Sequence, residues 1–160
     1  YGMNDDDAVW NFTSYALQRN PNTRIGLAMP WEDFPLQYDN ASEHRDLTDR
    51  GYNLWMNMAG RLSSDFNNAE VFTFYHGEAM YELRHMYEEG NLSDVSQLMG
   101  SSDNSLFTDQ KGHAGQIVVD TGTLLWMAAI HNVEPSSFPE FEDWETDIRV
   151  VAQNILSQDN

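Results

Sequence analysis

Two short apolar runs, set among amphipathic helical stretches, constrain this chain more than any other feature. Residues 24–29 (Arg-Ile-Gly-Leu-Ala-Met) read as a buried strand stopped by Pro30. Residues 70–75 (Glu-Val-Phe-Thr-Phe-Tyr) read as a second strand, because β-branched and aromatic side chains suit a pleated surface. Helices are predicted over 5–18, 43–62, 78–89, 114–130 and 141–156. The first buries Val9, Phe12 and Ala16 on one face, and the second turns Leu47, Leu54, Trp55, Met58 and Leu62 inward. The fourth carries a 3.6-period stripe of Ile117, Val118, Thr121, Leu124, Leu125 and Ala128, and the fifth buries Phe141, Trp144, Ile148, Val151 and Ile155. Residues 92–99 read as a short helical turn, and 100–105, rich in Gly, Ser, Asp and Asn, as a loop.

The alternation of helix and strand points to α/β units with a parallel sheet. Two strands cannot form a doubly covered parallel sheet that stands alone. The expectation is that the rest of the sheet comes from another chain or an upstream segment. Residues 1–160 then form a single partial domain.

Charge limits the partners. Asp and Glu number 26 against eight Lys and Arg, for a net charge of −18. Such a surface repels a phosphate backbone, so nucleic acid is not an expected partner. No apolar run is long enough for a membrane span; the longest covers residues 124–130. Tyr1-Gly2-Met3-Asn4 lacks the basic start and apolar core of a signal peptide. Cysteine is absent, which removes disulfides and thiolate metal sites.

The chemistry-bearing segment is Phe107-Thr108-Asp109-Gln110-Lys111-Gly112-His113, directly before a helix. An imidazole held by a nearby carboxylate is the usual apparatus for activating a hydroxyl nucleophile. A plainer reading makes His113 a loop residue at the start of the next helix and Asp109 a turn residue. Asn4 is placed to cap the first helix. Asp5, Asp6 and Asp7 suit a helix N-terminus; as consecutive carboxylates they point in different directions, and no metal site is expected. His44, His76, His85 and His131 stand apart from one another and read as structural. The loop Trp31-Glu32-Asp33-Phe34-Pro35, aromatic and acidic, suits the rim of a pocket, with Trp31 a candidate substrate contact.

Two of these segments together resemble the SGNH (GDSL-type) hydrolase family. Gly2-Met3-Asn4-Asp5 before a helix is similar to the Gly-x-Asn-Asp block of that family. The segment from Asp109 to His113, before a helix carrying Gly122 and Trp126, is similar to its closing Asp-x-x-His block. The intervening strands fall where such enzymes place their later strands. Two features depart from the pattern. The family's Gly-Asp-Ser block with the catalytic serine is absent, and no Gly-x-Ser-x-Gly elbow replaces it. Asp109 stands four residues before His113 where the family usually shows three; the residue three before is Gln110, and a one-residue insertion around Lys111 and Gly112 keeps Asp109 in place.

The resemblance implies a three-layer α/β/α, flavodoxin-like fold, of which this chain supplies the C-terminal part. It implies ester hydrolysis without a cofactor, on small esters or acetylated carbohydrates, in a secreted or periplasmic setting. His113 would take the proton from the serine hydroxyl and Asp109 would hold the imidazole. The Asn4 side chain and Gly2 would line the oxyanion hole. The serine would come from an N-terminal segment or a partner chain. The competing expectation is a non-catalytic binding or assembly subunit that keeps a hydrolase-like fold.

Overall fold

A computed structural model describes residues 7–158. Its described part is mixed α/β, with five α-helices and two short parallel strand pairs. The elements fall into two compact units, residues 7–29 with 51–74 and residues 30–50 with 75–158.

In the first unit, helix α1 (Asp7–Arg19) precedes strand β1 (Ile25–Ala28), which pairs in parallel with β2 (Val71–Phe74). Helix α2 (Ala41–Asp65) makes the crossover that parallel pairing requires, and its residues 51–65 belong to this unit. The core is small: Leu27, Ala59 and Leu62, with Val9, Trp10, Trp55, Met58, Phe66 and Val71 packed around them. Gly26 lies close to Phe72, where a Cβ would come within 2.8 Å of the ring.

Two expected faces are corrected here. Phe12 is 75% exposed, and α1 buries Thr13 instead. The reason is angular: Val9, Thr13 and Ala16 share one stripe, and Phe12 falls outside it. Trp10 joins the inner side and donates from Nε1 to Asp65 at 2.7 Å. On α2, Leu47 and Leu54 are exposed. The inward row runs through Ala41, His44, Thr48, Trp55, Met58, Ala59 and Leu62, with polar side chains at the positions the hydrophobic pattern skipped.

The second unit is built around a larger core. Helix α3 (Glu78–Glu88) buries Ala79, Met80 and Leu83. Two short strands follow, β3 (Gln97–Met99) and β4 (Ser105–Phe107), then helix α4 (Gln116–His131) and helix α5 (Ile148–Gln158). Leu106, Phe107, Ile117, Leu124, Ile148 and Ala152 fill the space between them.

The strand pair β3–β4 replaces the expected helical turn and part of the expected loop. It is parallel, with Gln97 opposite Ser105 and Met99 opposite Phe107, although only residues 100–104 separate the strands. Polar side chains tie that short return together. The Ser101 hydroxyl donates to Asn104 Oδ1 at 2.9 Å and the Ser105 hydroxyl to the Ser101 carbonyl at 2.6 Å.

The last helix starts at Ile148 rather than near residue 141. Asp94 takes the backbone N–H groups of Glu145 and Thr146 at 2.6 and 3.1 Å, and the Thr146 hydroxyl at 2.6 Å. Those amides are thereby held outside a helix. Asp147 then accepts the Arg149 N–H at 3.1 Å, as a residue preceding a helix does.

Candidate active site

The candidate site lies in the second unit, between β4 and α4. The loop is closed by its own backbone: Thr108 N–H donates to the His113 carbonyl at 2.8 Å, and Phe107 bridges to Ala114 in antiparallel fashion. Gly112 makes the turn possible. Its φ of 100° lies where L side chains are strained, and a Cβ there would stand 2.8 Å from Pro35 Cδ.

Asp109 organises this loop. Its Oδ1 accepts the backbone N–H groups of Lys111, Gly112 and His113 at 3.0, 3.1 and 3.2 Å. Its Oδ2 meets His113 Nδ1 at 2.5 Å. The His113 hydrogen bond, foremost, holds the Asp109 carboxyl below its ordinary range, with the His113 and Gly112 amides adding to it against some desolvation. Asp109 is therefore ionised at neutral pH and can only accept, so Nδ1 of His113 is the donor. In a neutral imidazole, Nε2 is then the basic nitrogen, the tautomer a general base needs.

Asp109, rather than Gln110, is the residue bonded to the His113 ring. Among the described residues it is the only side chain hydrogen-bonded to that ring. The four-residue spacing works because the turn at Lys111 and Gly112 folds the chain back onto Asp109. Both side chains are open to water, His113 at 68% and Asp109 at 47%, so solvent screens their attraction.

Trp31 stands beside this loop. Its indole Nε1 donates to the Gly112 carbonyl at 2.9 Å, while Phe34 N–H donates to the Lys111 carbonyl at 2.9 Å. Trp31 also meets His76 edge-on at 5.6 Å between ring centroids, and His76 lies 5.7 Å from Trp126. These three rings follow one another, with Trp31 at the loop. Burial pushes the His76 imidazole below its ordinary pKa, which keeps it neutral.

Asn4 and Gly2, the expected oxyanion-hole residues, lie outside the described residues, as do Asp5 and Asp6. Of the other histidines, His44 is fully buried and His85 forms an exposed pair with Glu89 at 3.4 Å. Among the described residues no three His, Cys, Asp or Glu side chains gather closely enough to hold a metal ion. No helix among them is long and apolar enough to cross a membrane.

Sequence reasoning missed the buried polar residues of this unit, above all Arg84, Glu78 and Thr48. The available signal was the spacing of Arg84 and Glu88, four apart on one helix. An i,i+4 pair usually marks a solvated face rather than a core.

Elsewhere in this unit, a cleft of about 640 Å³ is lined by Asp103, Asp120, Asp143, Phe141 and Trp144 among others. Trp144 Nε1 donates to Asp120 Oδ2 at 2.9 Å, and Gln116 donates to Asp120 Oδ1 at 2.8 Å. No family model, curated protein or solved structure matches the chain.

Proposed function

We propose that this chain is the C-terminal part of an SGNH-type serine ester hydrolase whose nucleophile is supplied from outside it. The observation that carries the reading is the Asp109–His113 pair. An ionised carboxylate engages Nδ1, and Nε2 is left as the base for a hydroxyl. In the reaction, Nε2 accepts the serine proton as the oxygen attacks the ester carbonyl, then returns that proton to the leaving alcohol. Asp109 stabilises the imidazolium formed between those steps. Asn4 and Gly2 are assigned to the oxyanion. The tilted rings of Trp31, His76 and Trp126 supply aromatic surface for an acetylated sugar.

On this reading the β1–α2–β2 unit belongs to a three-layer, flavodoxin-like sheet completed by the serine-bearing segment. No cofactor takes part, and the setting is secreted or periplasmic. The test is turnover of a chromogenic acetate ester by the chain reconstituted with a Gly-Asp-Ser-bearing partner. Turnover that falls about a thousandfold in His113→Ala supports the assignment. Equal rates in the two forms contradict it.

One observation favours a second reading, a non-catalytic binding subunit. The acidic and aromatic cleft around Asp120 and Trp144 offers a binding surface that involves neither Asp109 nor His113.

A further inference from the structure

Residues 31–38 contain little regular structure beyond a single 3₁₀ turn, Pro35–Gln37. Such a segment makes few of its hydrogen bonds internally, so its backbone groups need partners elsewhere. Two buried side chains supply them. Arg84 is only 2% exposed. It donates from Nη1 to the Pro35 carbonyl at 3.0 Å and from Nη2 to the Tyr38 carbonyl at 2.9 Å. The same Nη1 reaches His44 Nδ1 at 3.2 Å, and Nε binds Glu88 Oε1 at 2.7 Å.

His44 completes the set. Its Nδ1 faces an arginine N–H and must accept, so the proton sits on Nε2, which donates to the Glu32 carbonyl at 2.7 Å. Tyr38 stacks on the imidazole at 4.6 Å, and Tyr81 accepts the Glu32 N–H at 3.0 Å. Three carbonyls of the segment, those of Glu32, Pro35 and Tyr38, thus end on Arg84 or His44. Glu88 keeps Arg84 in register and uses its other oxygen to accept the Ala41 N–H at 2.9 Å.

The other side of the same segment grips the 109–113 loop through Trp31, Phe34 and Pro35. Its hydrogen bonds fall on the carbonyls of Lys111 and Gly112, the turn that brings His113 onto Asp109. Stability alone does not call for an arginine here. A buried ion pair returns about as much as its desolvation costs, and apolar residues of similar volume often do as well. What a guanidinium adds is a rigid planar fork that fixes several acceptors at once.

We infer that Arg84 and His44 are positioning residues for His113, acting through the 31–38 strap on the Lys111–Gly112 turn. The inference rests on the hydrolase reading for its effect on turnover alone; the mechanical linkage is read directly from the hydrogen bonds.

The test is amide hydrogen exchange and the His113 ring resonances, followed by NMR in the full 160-residue chain. Arg84→Lys keeps the charge and loses the fork. Trp31→Phe keeps an aromatic side chain and loses the donor to Gly112. Glu88→Gln loosens the anchor of Arg84 with the least change in shape. Exchange at Lys111, Gly112 and His113 should quicken roughly tenfold in the first two and by a smaller factor in the third, with altered His113 ring shifts.

If Arg84→Lys fails to fold, the other two variants decide. Wild-type exchange and ring shifts in folded Glu88→Gln and Trp31→Phe would overturn the inference. Faster exchange alongside a complete lack of esterase activity in every form would leave the linkage standing and remove the hydrolase reading instead. In an active complex, Arg84→Lys and Glu88→Gln should lower kcat with KM unchanged.

Discussion

The two units of this chain differ most in how much each buries. In the second, sixteen apolar residues form one buried cluster spanning α3, β4, α4 and α5. In the first, the apolar side chains of the described residues that reach that level of burial are Leu27, Met29, Ala59 and Leu62, and the large side chains of Phe12 and Tyr15 face solvent. Hydrophobic stabilisation scales with the area removed from water. The second unit is therefore the rigid scaffold, and it is the one that carries Asp109, His113 and Trp31. The first unit holds the parallel pair β1–β2 over a thin core.

This contrast can be broken most sharply by truncating each side. Leu83→Ala, in the fully buried centre of α3, should cost about 3 kcal/mol of unfolding free energy. Phe12→Ser should stay within about 0.5 kcal/mol, as for an exposed position. Denaturant titration of both variants checks the pair. A cost at Phe12 comparable with that at Leu83 would reverse the ranking of the two units.

Acid provides the next largest effect, again confined to the second unit. Burial, foremost, pushes the His44 pKa down to about 4, with the neighbouring Arg84 charge adding to it against the Glu32 carbonyl and Glu88. Tyr38 and Tyr81 also face the ring, as uncharged groups. An unfolded His44 titrates near the ordinary value of about 6.5, so between those values the unfolded chain binds more protons. Stability from neutral His44 is thus full above about pH 6.5 and declines as the pH falls towards 4. The loss amounts to about 3 kcal/mol relative to His44→Gln. Thermal melts of the two proteins across that range measure it, and parallel pH dependences would contradict it.

A smaller effect sharpens the picture at the site. Gly112→Ala places a Cβ against Pro35 at positive φ and should cost about 1–2 kcal/mol. Its chemical-shift changes should concentrate at Trp31, Pro35 and His113. Changes spread evenly over the second unit would speak against a local strap.

Much of the helical framework was legible from periodicity. The end of α1 and both ends of α3 and α4 fall close to the predicted ones, and β1 and β2 differ by about a residue at each end. What escaped detection was set by tertiary contacts. Strands β3 and β4 have three residues each, too few for an alternation to register, and the turn chemistry of Ser101 and Asn104 masks them. The start of α5 is fixed by the distant carboxylate of Asp94. On α2, His44 and Thr48 occupy core positions that a hydrophobic pattern cannot reveal, which is why Leu47 and Leu54 were turned inward.

The site was legible to a similar degree. Residue types alone brought Asp109 and His113 together, since a carboxylate and an imidazole on one tight loop have few other arrangements. The bracing by Trp31 and the lock at Arg84 were not readable. Both depend on backbone carbonyls meeting side chains far away in sequence.

In the proposed function His113 activates a serine from outside this chain. The most direct measurement is covalent labelling of the purified complex by a fluorophosphonate, with the modified residue located by mass spectrometry. One labelled serine is expected, in a Gly-Asp-Ser segment that precedes or accompanies this chain, with loss of that label in His113→Ala. Unchanged labelling in His113→Ala, or no labelling of a complex that contains such a segment, would contradict it.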